Sequence, residues 1–111
     1  MTKYVALYMA TREALDQLLK STPEEFQASM EALGKWGKDN AASIVDLGAP
    51  LGKTKRVTAS GVSDTKNELT GYTIVQGDSA ESAAKIFRSN PYLQTPGTYI
   101  ELIECMVVPG M

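Results

Sequence analysis

A chain of 111 residues, 43% hydrophobic and 22% charged with a net charge of −2, has the balance of one globular domain, residues 1–111, and not of a disordered segment. Its eleven basic side chains are scattered, with no stripe to neutralise phosphates, which excludes a nucleic-acid partner. It contains no histidine, which excludes histidine-dependent triads and leaves proton transfer to a carboxylate, lysine or tyrosine of shifted pKa.

The first predicted element is a strand over residues 3–9, with Tyr4, Ala6 and Tyr8 on one face and Val5, Leu7 and Met9 on the other. Both faces are apolar or aromatic, as in a strand covered on two sides. Residues 11–20 read as a short helix capped by Thr11, with Leu15, Leu18 and Leu19 inward, or as an ordered loop. The next start signal is sharper. Thr22 stands at an N-cap, Pro23 at the first helical position and Glu25 three residues after the cap, which is a capping box. This helix is expected to reach about residue 41, with Phe26, Met30, Leu33 and Gly37 on one stripe and Trp36 at its margin. Gly34 and Gly37 weaken it, and their use would be close approach to a sheet or a partner.

Residues 43–51 read as a second strand around Ile44, Val45 and Leu47. Strand character returns at 55–60 and again at 70–76. The intervening Gly61–Leu69 lacks apolar periodicity and is expected to be a long hairpin loop. A helix then starts at Asp78 or Ser79, supported by Glu81, with Ala80, Ala83, Ala84 and Phe87 inward and Asn90-Pro91 as its stop. The last strand is expected over 98–108.

The order fits an α+β fold: a ferredoxin-like antiparallel sheet with its helices on one face. The other face is also apolar on the first and last strands, and a soluble monomer does not keep such a face open. A second copy packed face to face would make a homodimer and a dimeric α+β barrel.

Four stretches carry a family resemblance: "TPEEFQASMEALGKWGK", "SIVDLGAPLG", "GVSDTKNELTGYTIVQGDSAESAAKIFRSNPYL" and "GTYIELIECM". Together they resemble the YCII-related (DGPF-type) family over nearly the whole chain. Leu69-Thr70-Gly71-Tyr72, the helix ending at Asn90-Pro91, and Gly48-Ala49-Pro50-Leu51-Gly52 are the most specific parts. The resemblance implies a dimeric α+β barrel, and in some YCII-like members an enzyme that uses a histidine paired with an aspartate. This chain departs from that pattern in having no histidine. It also reads Gly61-Val62-Ser63-Asp64 where the Asp-Gly-Pro-Phe element would stand. No catalytic residue is carried over.

Tyr4, Tyr8, Tyr72 and Tyr99 all fall on expected strands. Phenols gathered at a barrel mouth suit an aromatic or quinone-like ligand, while the same residues also suit the amphipathic rim of a sheet interface. Trp36 either lines that cleft or packs in the core. Glu101 and Glu104 stand three apart on a strand and point to opposite faces, so one meets an apolar surface. Buried there it would titrate high and serve as an acid or base; paired or at an edge it would not. Asp64, Lys66 and Glu68 alternate and would share a face if extended, or else be solvated. Cys105 reads as a buried strand residue. Arg12, Lys53 and Lys55 could hold an anionic group, though their spacing does not single them out.

The lone cysteine cannot form an internal disulfide and fits a reducing compartment. The first strand has about six apolar residues in a row against roughly 7–15 for a secretion signal. No window approaches the roughly 18 of a membrane span. The expectation is a cytoplasmic protein without a membrane partner, metal or cofactor. The function expected is binding of a small organic molecule, an aromatic one among the options, in a pocket between sheet and helices. The alternatives are a cofactor-independent lyase, isomerase or oxygenase-like enzyme using Tyr or Glu, and a non-catalytic dimeric interaction module.

Overall fold

The computed structural model describes residues 1–110. Strand β1 (Thr2–Ala10) is followed by α1 (Arg12–Leu19) and α2 (Pro23–Asp39), then β2 (Ile44–Pro50), β3 (Thr54–Thr58), β4 (Gly61–Thr65) and β5 (Leu69–Gly77). Helix α3 (Ala80–Lys85), two 3₁₀ turns (Ile86–Ser89 and Pro91–Gln94) and β6 (Thr98–Glu104) complete the chain. Four strands form an antiparallel sheet in the order β2-β5-β1-β6, and β3 and β4 pair separately as a hairpin. This is the α+β, ferredoxin-like arrangement, with a two-stranded hairpin inserted between its second and third sheet strands.

Alternation along β1 explains the core. Tyr4, Ala6, Tyr8 and Ala10 are buried on the helix-bearing face, beside Gly71, Thr73 and Val75 of β5. Trp36 of α2, Ala83 of α3 and Phe87 of the first 3₁₀ turn close over them. On the opposite face the register sets Val5 against Ile74 and Ile103, Leu7 against Tyr72 and Glu101, and Met9 against Tyr99. Among the described residues no element covers that face.

Residues 12–19 are a helix, and the Thr11 Oγ1 accepts from the Ala14 amide at 3.3 Å. Its inward residue is Ala14, while Leu19 is exposed, because eight residues present only a narrow buried stripe. The capping box of α2 is complete: Glu25 N donates to Thr22 Oγ1 at 3.1 Å, and Thr22 N donates to Glu25 Oε1 at 3.2 Å. Trp36 is not at the margin of α2 but is its one buried residue, whereas Phe26 on the expected inner stripe is 53% exposed. The helix meets the sheet at its C-terminal end only. Gly37 lies there, close to Leu47; nothing approaches Gly34, so only one of the two glycines serves contact.

Three further expectations fail for identifiable reasons. Gly61–Leu69 is not a long loop, since Gly61–Thr65 is strand β4, paired residue for residue with β3 through an Ala59-Ser60 turn. Both faces of this hairpin are largely exposed, so the backbone ladder forms without an apolar period to announce it. Helix α3 stops at Lys85, with Ala80 and Ala84 exposed, and Ser82 rather than Glu81 completes its Ser79 capping box. Strand β6 ends at Glu104 because β1, its only neighbour, begins at Thr2 and offers its last partner carbonyl, Lys3 O, to Cys105 N. Cys105 is consequently exposed, as are Met106, Val107 and Val108.

Candidate functional site

Because α2 leans away from the sheet over its first turns, a groove of about 1,460 Å³ opens between α1, α2, the end of β2, the β3–β4 hairpin and the start of β5. Small-ligand pockets span roughly 300–1,000 Å³, so this is an open cleft that a ring-sized molecule would fill in part. Leu15 and Leu18 of α1, Phe26, Met30 and Leu33 of α2, and Leu47 and Leu51 give it apolar walls. Tyr8, Gly71 and Tyr92 contribute to its floor. The Tyr8 and Tyr92 rings meet edge to face with centroids 5.1 Å apart, and Phe87 stands 6.5 Å from Tyr8.

The phenol hydroxyls turn into a polar network whose proton positions follow from donor counting. Thr73 Oγ1 donates to Leu47 O at 2.7 Å, so its proton is used. The 2.8 Å contact between Tyr8 and Thr73 must then carry the Tyr8 proton. Asn90 Nδ2 donates to Tyr8 Oη at 3.1 Å, completing a chain from Asn90 through Tyr8 and Thr73 to the backbone. A second cluster is over-subscribed. Thr70 Oγ1 and Tyr92 Oη lie 2.6 Å apart, and also reach Tyr8 O at 3.0 Å and Met9 O at 3.1 Å. Two hydroxyl protons serve three contacts, so neither hydroxyl has a proton to spare for a ligand.

Burial pushes the Tyr8 phenol above its ordinary range, against the opposing effect of its bonds to Thr73 and Asn90. Burial likewise raises Tyr92, opposed by Thr70. Both are neutral donors at pH 7. Tyr99 is raised by desolvation and by the nearby carboxylates of Glu68 and Glu101.

The groove's charges come from separate elements: Arg12 and Asp16 from α1, Lys53 and Lys55 from before and within β3, Asp64 from β4, and Lys66 beyond it. Lys55 and Asp64 form an ion pair across the hairpin. Asp64, Lys66 and Glu68 therefore do not share one extended charged face, because β4 ends at Thr65.

The tyrosines expected to cluster are divided by the sheet. Tyr8 reaches the groove. Tyr4 is buried in the core under the helices, away from the groove lining. Tyr72 edges the groove, but strand alternation puts its ring opposite Leu7 on the open face, where Tyr99 also lies. Trp36 is core: its Nε1 donates to Ile86 O at 2.9 Å and its ring packs 5.0 Å from Phe87. Glu101 is exposed on the open face and Glu104 is exposed at the strand end, so neither is a buried carboxylate. Among the described residues no group of three Cys, Asp or Glu side chains is placed to hold a metal ion, and no helix is long and apolar enough to cross a membrane.

Sequence reasoning missed Tyr92, Thr70, Thr73 and Asn90. Thr73 had a readable signal, since it shares the inward face of β5 with Gly71 and Val75 and a buried hydroxyl needs a partner. Asn90 read only as a helix stop, although its side chain accepts from Tyr92 N at 2.9 Å and its amide reaches Tyr8.

No family model matches the chain, and no curated protein matches it. Among solved structures it is similar to 5-chloro-2-hydroxyhydroquinone dehydrochlorinase from Burkholderia phenoliruptrix AC1100, in complex with 2,5-dihydroxybenzoquinone. The two are 13% identical, with a TM-score of 0.49 over 89% of this chain and 90% of that one. A likeness of that degree says nothing of this chain's ligand.

Proposed function

We propose that the chain is the protomer of a homodimer that binds a small organic molecule in the groove between sheet and helices. The observation that carries the reading is the groove itself: apolar walls from both helices over a floor of two edge-to-face tyrosines. Such a surface receives a flat ring by stacking and apolar burial. No specific observation favours catalysis, since Glu101 and Glu104 are both exposed. Thermal-shift measurements against a panel of hydroxylated aromatic compounds and aromatic acids test the proposal. A binder at 100-fold its dissociation constant is expected to stabilise the protein by about 2.7 kcal/mol. A panel without any stabilising member overturns it.

The homodimer is supported by surface area. The protein exposes 8106 Å², against about 6,000 Å² for a compact monomer of this mass. Its radius of gyration is 15.4 Å, against about 13 Å expected. The surplus is of the size that one protomer of an obligate homodimer buries, about 1,000–2,500 Å². The open sheet face of Val5, Leu7, Met9, Ile74 and Ile103 is the apolar surface such a partner would cover. Membership of the YCII-related family, on the motifs quoted above, and a cytoplasmic location belong to the same proposal.

A further inference from the structure

We infer that the groove takes an amphipathic anion: a small molecule with an apolar or aromatic body and one acidic head group. The inference rests on the groove being a ligand site and adds the chemical class of what it binds. Two independent observations carry it.

The first is charge. The groove gathers four of the eleven basic side chains, Arg12, Lys53, Lys55 and Lys66, but only two of the thirteen acidic ones, Asp16 and Asp64. Asp64 is already neutralised by Lys55, the one ion pair among the described residues. Arg12, Lys53 and Lys66 are left against Asp16, in a chain whose net charge is negative. A local excess of positive charge at an apolar cleft raises the concentration of anions there.

The second is the state of the floor. The Tyr8 proton is committed to Thr73, and the protons of Thr70 and Tyr92 serve more contacts than they can fill. A polar head group finds no free hydroxyl donor among them on the floor and is better placed at the rim. The charged donors stand at the rim, as ammonium and guanidinium groups, and they hold an anionic head group more strongly than the neutral amides of Asn67 and Gln94 beside them. The apolar body therefore sits on the tyrosines and the acidic head stays at the lysines.

Two fluorescent probes with the same ring system separate the terms: 8-anilinonaphthalene-1-sulfonate, which is anionic, and N-phenyl-1-naphthylamine, which is neutral. At low salt the sulfonate is expected to bind about three- to fivefold more tightly, because the exposed cations of the rim attract it unscreened. Lys53→Glu with Lys66→Glu should abolish that preference, as should half-molar salt. Arg56→Glu, an exposed reversal in β3 outside the groove lining, should leave it intact. Equal binding of the two probes, or a preference that survives the lysine reversal, or one lost equally in Arg56→Glu, overturns the anion assignment while the ligand groove stands. Failure of both probes to bind overturns the groove reading as well.

Discussion

At the residue scale, the buried hydroxyl of Tyr8 matters more than its ring. Tyr8→Phe keeps the aromatic packing but leaves the Asn90 amide, which is buried, without its acceptor. The expected cost is about 1–3 kcal/mol in urea unfolding. A cost below the error of the measurement would show that the Asn90–Tyr8–Thr73 chain contributes nothing. The same residue sets an alkaline limit. Burial holds the folded phenols of Tyr8 and Tyr92 above the value near 10 that they have in the unfolded chain. Above about pH 10 the unfolded state loses protons that the folded state retains, so stability falls as pH rises through the folded values. Below that pH their contribution is fully present. Unfolding midpoints measured from pH 8 to 12 should decline beyond pH 10, and the decline should be shallower in Tyr8→Phe. Gly48 is the other decisive residue. Its φ is +82°, and a Cβ there would overlap the Tyr72 carbonyl. Gly48→Ala should cost several kcal/mol, beyond the ~1 kcal/mol of backbone propensity alone.

The two glycines of α2 separate propensity from packing at the scale of the element. Nothing lies within 4 Å of a Cβ at Gly34, so Gly34→Ala should stabilise the helix by about 0.5–1 kcal/mol. A Cβ at Gly37 would stand 3.1 Å from Leu47 Cδ1, so Gly37→Ala gives back part of the same gain in displacing that side chain. Calorimetry of the two variants should rank Gly34→Ala above Gly37→Ala; the reverse order would mean that α2 is seated differently against β2. The start of α2 was legible because a cap is written in local chemistry; Thr11, Thr22 and Ser79 each accept from an amide three residues on, although residues 11–20 read equally as a loop and the α3 cap as Asp78 or Ser79. The β3–β4 hairpin was not legible. Its cross-strand pair Val57 and Val62 are 74% and 67% exposed, so no buried face imposes a period on the sequence. An isolated two-stranded hairpin is of marginal stability, which makes it the segment expected to exchange its amides first.

For the molecule as a whole, the open sheet face and the excess surface decide the prediction. Light scattering at micromolar concentration is expected to give twice the 12.0 kDa chain mass. Leu7→Lys combined with Ile103→Lys, which puts two ammonium groups on that face, should return the protein to monomer with its secondary structure intact. A wild-type monomer refutes the homodimer, and a charged variant that stays dimeric refutes the face.

What the sequence by itself determined was local: strand faces from alternation along β1, helix starts from caps, and an element order that lacked β4 and left residues 11–20 open between helix and loop, yet sufficed for a ferredoxin-like sheet. These follow from neighbours in the chain, within which period and capping chemistry act. Which tyrosines share a site was settled only by tertiary structure. The Tyr92 hydroxyl is held by Met9 and Thr70, 83 and 22 residues away, and the Tyr8 hydroxyl by Thr73 and Asn90, 65 and 82 residues away. Tyr4, Tyr72 and Tyr99 are equally plausible as a list of strand phenols, yet register and crossover send one to the core and two to the opposite face. The gathering of Arg12, Lys53 and Lys66 around one cleft is of the same kind, since scattered charges acquire a field only when the fold brings them to one surface.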